Sequence, residues 1–361
     1  MEGGGPDQHN DCVMSGPSLP ILGAIFAAAA TATWMAGIQL SKSVDVIDNR
    51  LGLGEALGGL ILLAVVTNLP EISIVSTAAA RHNFDIATGN VLGGIAIQTV
   101  VLVALDGFGV PRRPLTNATA SLSQVLEGAL VMAILAVAIM ATLLPQKVVV
   151  ARVDPSTVLI ALTWIGGLLL IRRGAKGLPW RQMPAGDFPD AAARKRGKVE
   201  KAKRPFGVAV VIFVAAAIVT LVAGVGLEVS GNAIADQVHV NGAVFGATVL
   251  AAATALPELS TGLAAVKIED FELAVSDIFG GNAFLPVLFL PATLLAGASV
   301  LGKAAKTDVF MAALGILLTG VYVFGLIFRP QKQYLRLGPD SIAVLVLYVV
   351  GIAGFIAIDH G

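Results

Sequence analysis

Apolar residues along this chain come in runs of roughly 17 to 25, parted by shorter stretches where charge, glycine and proline collect. A helix rises about 1.5 Å per residue and bilayer hydrocarbon is about 30 Å thick, so each run has the length of one crossing. Ten such runs are predicted as membrane helices, at 20–40, 52–80, 84–106, 120–144, 156–172, 206–230, 241–266, 271–297, 307–328 and 340–358. The expected fold is an all-α polytopic membrane protein. Pro70 and Pro257 interrupt the second and seventh runs, since proline lacks the N–H its turn needs and its ring clashes with the preceding turn. Each of these two is expected as a pair of half-helices. Residues 173–205 form the one long polar stretch and divide a five-helix half at 20–172 from another at 206–361, with 1–19 as an N-terminal tail.

The two halves share a repeat. Moving residues 56–100 forward by 187 lays Ala56–Val100 on Ala243–Val287 without a gap, and 16 of the 45 positions are identical. Val65-Val66-Thr67-Asn68-Leu69-Pro70-Glu71 returns as Ala252-Ala253-Thr254-Ala255-Leu256-Pro257-Glu258. With five helices in each half, the second copy enters the membrane from the opposite side, so the repeat is inverted. Inverted repeats with interrupted helices near the midplane are a common construction of alternating-access transporters.

Composition narrows the class. At 361 residues, 56% hydrophobic and 13% charged, the chain is far too apolar for a soluble protein of its size. The 24 basic and 24 acidic residues balance, which points to no nucleic-acid partner. No protein partner is inferred, and the expected partners are transported cations and the lipid bilayer. If the 173–205 linker is cytoplasmic, 19 of the Lys and Arg residues fall on its side and five, Arg81, Lys147, Arg152, Lys303 and Lys306, on the other. That imbalance predicts both termini outside, and the expected location is a plasma membrane. The single Cys12 excludes an intrachain disulfide or a thiolate metal cluster. Met1 to Pro20 carries no Lys or Arg and lacks the basic region of a secretory signal.

The chemistry sits at the repeat. Pro70 frees the carbonyl of Val66 and Pro257 that of Ala253, and Glu71 and Glu258 follow at once. A carboxylate at the bilayer centre costs about 2.5–3.5 kcal/mol even on a lenient scale, so two of them call for a compensating charge. No Lys or Arg lies in the apolar interior of these helices, which leaves a bound cation. Nineteen residues after each Glu stands a further oxygen donor, Asn90 in the first copy and Asp277 in the second, and Thr67 and Thr254 lie one turn before the glutamates. The set is all oxygen, which suits a hard cation such as Ca²⁺, and no His sits near the motif centres to suit zinc or copper. Gly54, Gly58, Gly242 and Gly246 have small-xxx-small spacing, and with Gly93-Gly94 and Gly280-Gly281 they are expected to let helices approach closely.

These residues resemble the α-repeats of the calcium/cation antiporter superfamily, whose sodium/calcium exchangers carry a Thr-Ser-Leu-Pro-Glu type motif in one helix and Gly-Asn-x-x-Gly-Ser-Asn in the next. The resemblance implies that Thr67, Glu71 and Asn90, with Thr254, Glu258 and Asp277, ligate Ca²⁺, and that the backbone carbonyls of Ala64 and Ala251 serve flanking Na⁺ sites. It also implies sliding of the first and sixth helices across a fixed core. The chain departs from the motif at Asn68 and Ala255, where the family has Ser, and at Gly94-Ile95, while Asn282 keeps the final Asn in the second repeat. The implied activity is exchange of Ca²⁺ for Na⁺ with no resident cofactor, and no enzymatic reaction. Exchange with H⁺ or another monovalent ion is the alternative, and an intramembrane enzyme pairing Glu71 with Glu258, or a cation channel, are more distant ones.

Overall fold

The computed structural model describes residues 17–51, 64–110, 113–119, 121–144, 152–175 and 205–359. Most of the predicted tail with Cys12, residues 52–63 of the second predicted span, and 176–204 of the linker lie outside these. The described chain is helical almost throughout: α1 Leu19–Leu51, α2 Leu69–Ala80, α3 Phe84–Gly109, α4 Leu122–Thr142, α5 Pro155–Ala175 and α6 Phe206–Gln237, then α7 Gly242–Lys267, α8 Phe271–Ala296, α9 Lys306–Phe328 and α10 Pro339–Asp359. Among the described residues, all of these except the short α2 are long and apolar enough to cross a membrane.

The helices sort into an inner and an outer set. Of the most apolar stretch of α3, 72% is buried, against 22% for α1, and α7, α8 and α9 resemble α3 in this. The outer helices expose large apolar side chains, including Leu170 on α5, Val211 and Val222 on α6 and Val350 on α10. Such faces suit lipid tails, while the helix form satisfies the backbone without water.

At each proline the helix bends over a single residue. Asn68 N–H still donates to Ala64 O at 3.3 Å and Ile72 N–H to Asn68 O at 3.0 Å; Ala255 and Leu259 repeat the pattern at 3.0 and 3.1 Å. The break is therefore a kink, with α2 and the second part of α7 each beginning next to its proline. Just before the second kink, Gly246–Leu250 forms a π-helical turn, and α8 tightens to a 3-10 turn over Leu285–Leu288 beside Pro286. Neither feature was expected from the repeat.

Glycine sets how the elements meet. A Cβ on Gly89 of α3 would stand 2.6 Å from the carbonyl oxygen of Ala243, and one on Gly93 would overlap Ala247, so the α3 and α7 backbones touch. A Cβ on Gly37 of α1 would lie 2.6 Å from Pro257 Cβ, and one on Gly224 of α6 would lie 2.6 Å from Ser73 Cβ and 3.0 Å from Pro70 O. Each long outer helix thus crosses the proline kink of the opposite repeat at a glycine. Gly37 and Gly224 are themselves 187 residues apart, so the offset of the repeat extends to helices where no alignment was drawn.

Candidate cation site

The kinks carry Thr67 and Glu71 on one chain segment and Thr254 and Glu258 on the other, and the close α3–α7 packing brings these segments together from opposite repeats. All four side chains are at most 1% exposed. They meet crosswise: Thr254 lies beside Glu71, and Thr67 beside Glu258. Glu258 also feels the charges of Glu71 and Asp277. Asn90 on α3 is fully buried, and a Cβ at Gly246 would stand 3.2 Å from its backbone nitrogen, which sets it against α7.

Buried polar atoms without partners are rare in folded proteins. Here Glu71 Oε2, both carboxylate oxygens of Glu258, Asp277 Oδ1 and Asn90 Oδ1 are all buried without a hydrogen-bond partner. The helices that hold them contain no Lys or Arg over 64–80, 84–109, 242–266 or 271–296. Orphaned oxygens on segments without Lys or Arg form a donor set that fits a hard cation. The set is not drawn up into a cage: among the described residues no three His, Cys, Asp or Glu side chains stand close enough to hold a metal ion. Uncompensated carboxylates repel strongly at low dielectric, which is the physical reason for such spacing.

Ala64 and Ala251 occupy equivalent positions but differ in surroundings. The Ala64 carbonyl accepts three donors: Asn68 N–H at 3.3 Å, Asn68 Nδ2 at 2.6 Å and Thr67 Oγ1 at 3.4 Å. The Ala251 carbonyl accepts Ala255 N–H at 3.0 Å and Thr254 Oγ1 at 3.1 Å, with no side-chain amide because residue 255 is alanine. The departure from serine at position 68 therefore places a strong donor where the family resemblance expects a cation ligand.

Two further residues join the site that the repeat did not single out. Gln98 Nε2 donates to Glu71 Oε1 at 3.4 Å, and its Oε1, like Asn68 Oδ1, has no partner. Both amides approach Gly281 on α8, where an added Cβ would meet Asn68 Nδ2 at 2.9 Å and Gln98 Oε1 at 3.5 Å. Thr261 Oγ1 donates to Asp277 Oδ2 at 2.6 Å and orients that carboxylate. A sequence signal existed for Gln98, an amide two turns beyond Asn90 inside the same apolar helix. None existed for Thr261, because its repeat counterpart is Ile74. Asn282 Nδ2 donates to Thr99 Oγ1 at 3.2 Å and ties α8 to α3.

Known proteins share this architecture. Inner membrane protein YrbG of Escherichia coli (strain K12) is 25% identical over 268 residues, which cover 72% of this chain and 75% of that protein. The sodium-calcium exchanger NCX_Mj, soaked with 100 mM Na⁺ and 10 mM Sr²⁺, matches over 93% of this chain and 99% of its own, with TM-score 0.55 and 18% identity. The H⁺/Ca²⁺ exchanger CAX matches over 93% and 86%, with TM-score 0.64 and 12% identity. At these identities the two structures show a common fold. The sodium/calcium exchanger protein family matches residues 21–172 and 208–357, well over half of the chain, and the chain therefore belongs to that family.

Proposed function

We propose that this protein exchanges Ca²⁺ for Na⁺ by alternating access, with Glu71, Glu258, Asp277 and Asn90 as the central ligands, assisted by Thr67 and Thr254. Membership of an exchanger family makes it an integral membrane cation antiporter and not an enzyme. The observation that carries the ligand assignment is the set of orphaned, fully buried oxygens contributed by both repeats. Competition supplies the coupling: the empty site is a cluster of buried negative charge and is costly to reorient, whereas a site filled by one divalent or several monovalent cations is not. In this reading the carbonyls of Ala64 and Ala251 serve monovalent ions flanking the centre. The halves 20–172 and 206–361 act as the two inverted units, the 173–205 linker faces the cytoplasm of a plasma membrane, and both termini face outside.

A second reading, with H⁺ or another monovalent ion as the coupling partner, is favoured by one observation. The Ala64 carbonyl is taken by the Asn68 amide, and Ala255 offers no side-chain oxygen at the equivalent position. Uptake of radiolabelled Ca²⁺ into proteoliposomes under imposed Na⁺, K⁺ or H⁺ gradients separates the two. Stimulation by the Na⁺ gradient alone supports sodium coupling, and stimulation by the H⁺ gradient alone refutes it. Uptake unchanged by Glu71→Gln and Glu258→Gln refutes the central site itself.

A further inference from the structure

A small cleft is walled by Ala64, Leu130, Trp164, Phe279 and Gly280, with Glu127 and Ser276 supplying polar atoms. Glu127 stands on α4, a helix that bears none of the central residues. It is only 7% exposed, and its Oε2 has no hydrogen-bond partner. Gln124, one turn earlier, is 2% exposed; its Nε2 donates to Ser276 Oγ at 3.0 Å, which leaves its Oε1 as an acceptor without a donor. The Ser276 hydroxyl also reaches Glu127.

A structural role does not account for this group. Packing on α4 is supplied by Leu130, Val131, Ile134 and Leu135, all buried in the main apolar core. Hydrogen bonding within the cluster leaves Glu127 Oε2 and Gln124 Oε1 as buried acceptors without a donor. A carboxylate held in an apolar wall without a compensating charge is strongly unfavourable, and α4 contains no Lys or Arg. One carboxylate oxygen, one amide oxygen and one hydroxyl, at a cleft also lined by Trp164, are ligands for a cation that is held weakly and passed on. The cleft also adjoins the central site at two places: Ser276 precedes Asp277, and Ala64 lies one turn before Thr67.

We propose that Glu127, Gln124 and Ser276 form a second cation station, on the side of the membrane where α4 begins, that holds the transported cation on its way to or from the central site. This rests on reading the central carboxylates as the transport site, so its test needs a readout that does not require transport.

Trp164 supplies that readout. In the full chain carrying Trp34→Phe and Trp180→Phe it is the sole tryptophan, and its emission is titrated with Ca²⁺ and separately with Na⁺. With Glu71→Gln and Glu258→Gln added, a cation-dependent change in emission is expected to persist. It is expected to vanish with Glu127→Gln, and with Glu127→Asp its midpoint should shift by roughly threefold or more, the effect of weakening one ligand. Loss of the signal with the central glutamates together with indifference to Glu127→Gln overturns the proposal, as does the absence of any Trp164 response. In proteoliposomes of uniform orientation, Glu127→Gln should raise the half-saturating Ca²⁺ concentration when Ca²⁺ is offered on the α4-start side and not on the other. An equal effect from both sides overturns it. A parent chain that moves no Ca²⁺ would count against the central site, and the emission titration would still decide the station.

Discussion

Replacing Gly89 by alanine tests how tightly the two repeats interlock at the candidate site. The new Cβ would stand 2.6 Å from the Ala243 carbonyl oxygen and 3.0 Å from Ala243 Cα, both backbone atoms that no rotamer change can move. Ordinary contact begins near 3.4 Å, so α3 and α7 must separate by roughly 0.8 Å at this point. Alanine in a helix interior contributes about 1 kcal/mol relative to glycine, while overpacking costs about 1–3 kcal/mol. The expected net effect is a loss of up to about 2 kcal/mol. Gly166 on α5 is the control: a Cβ there meets nothing within 4 Å, so Gly166→Ala should keep a gain of about 0.5–1 kcal/mol. Unfolding of the detergent-solubilised protein measures both differences. Because Asn90 adjoins Gly89 and packs against Gly246, subsaturating Ca²⁺ uptake should fall about tenfold in Gly89→Ala, equivalent to about 1.4 kcal/mol, and stay unchanged in Gly166→Ala. If Gly89→Ala stabilises the protein as much as Gly166→Ala does, the inferred backbone contact between α3 and α7 is wrong.

Three other outcomes follow from the geometry. Glu71→Gln and Glu258→Gln should each abolish Ca²⁺ uptake without lowering unfolding stability, because each removes a buried charge and keeps the side-chain shape; a loss of stability in either would show that the carboxylate has a structural partner. Asn68→Ser removes the amide that donates to the Ala64 carbonyl and should increase the response of Ca²⁺ uptake to a Na⁺ gradient, while an unaltered response would exclude that carbonyl from the monovalent site. Arg81 and Glu228 are 3.7 Å apart with the acid buried and the base half exposed. Arg81→Gln should therefore cost about 2 kcal/mol by stranding the carboxylate, and adding Glu228→Gln should recover most of that loss. A double-mutant cycle with no coupling energy would refute the pairing.

Much of the fold was legible because a bilayer imposes simple demands on sequence. Long apolar runs and the grouping of Lys and Arg between them indicated a polytopic helical protein, and the family match agrees with that architecture. The candidate site was legible as a set of residue types, since duplication placed Thr, Pro and Glu at one offset. It was not legible as a geometry. The crossed pairing of Thr67 with Glu258 and Thr254 with Glu71 joins residues 191 and 183 positions apart, and an alignment of each repeat with the other cannot show that they are neighbours. Gln98, Thr261 and the α4 residue Glu127 escaped notice for a related reason: their aligned counterparts are Leu285, Ile74 and nothing within the repeat.

Residue order alone carries what is local or set by solvent. Apolar length selects a membrane helix, proline removes a defined N–H, and a carboxylate without a nearby base in an apolar run calls for a cation. Tertiary structure alone decided which atoms remain unpaired. Whether a carbonyl such as that of Ala64 is open or taken depends on an amide one turn away, and whether Gly37 and Gly224 matter depends on which kinked segment crosses above them. These are questions of approach at a few tenths of an ångström between helices far apart in the chain, and only their packing answers them.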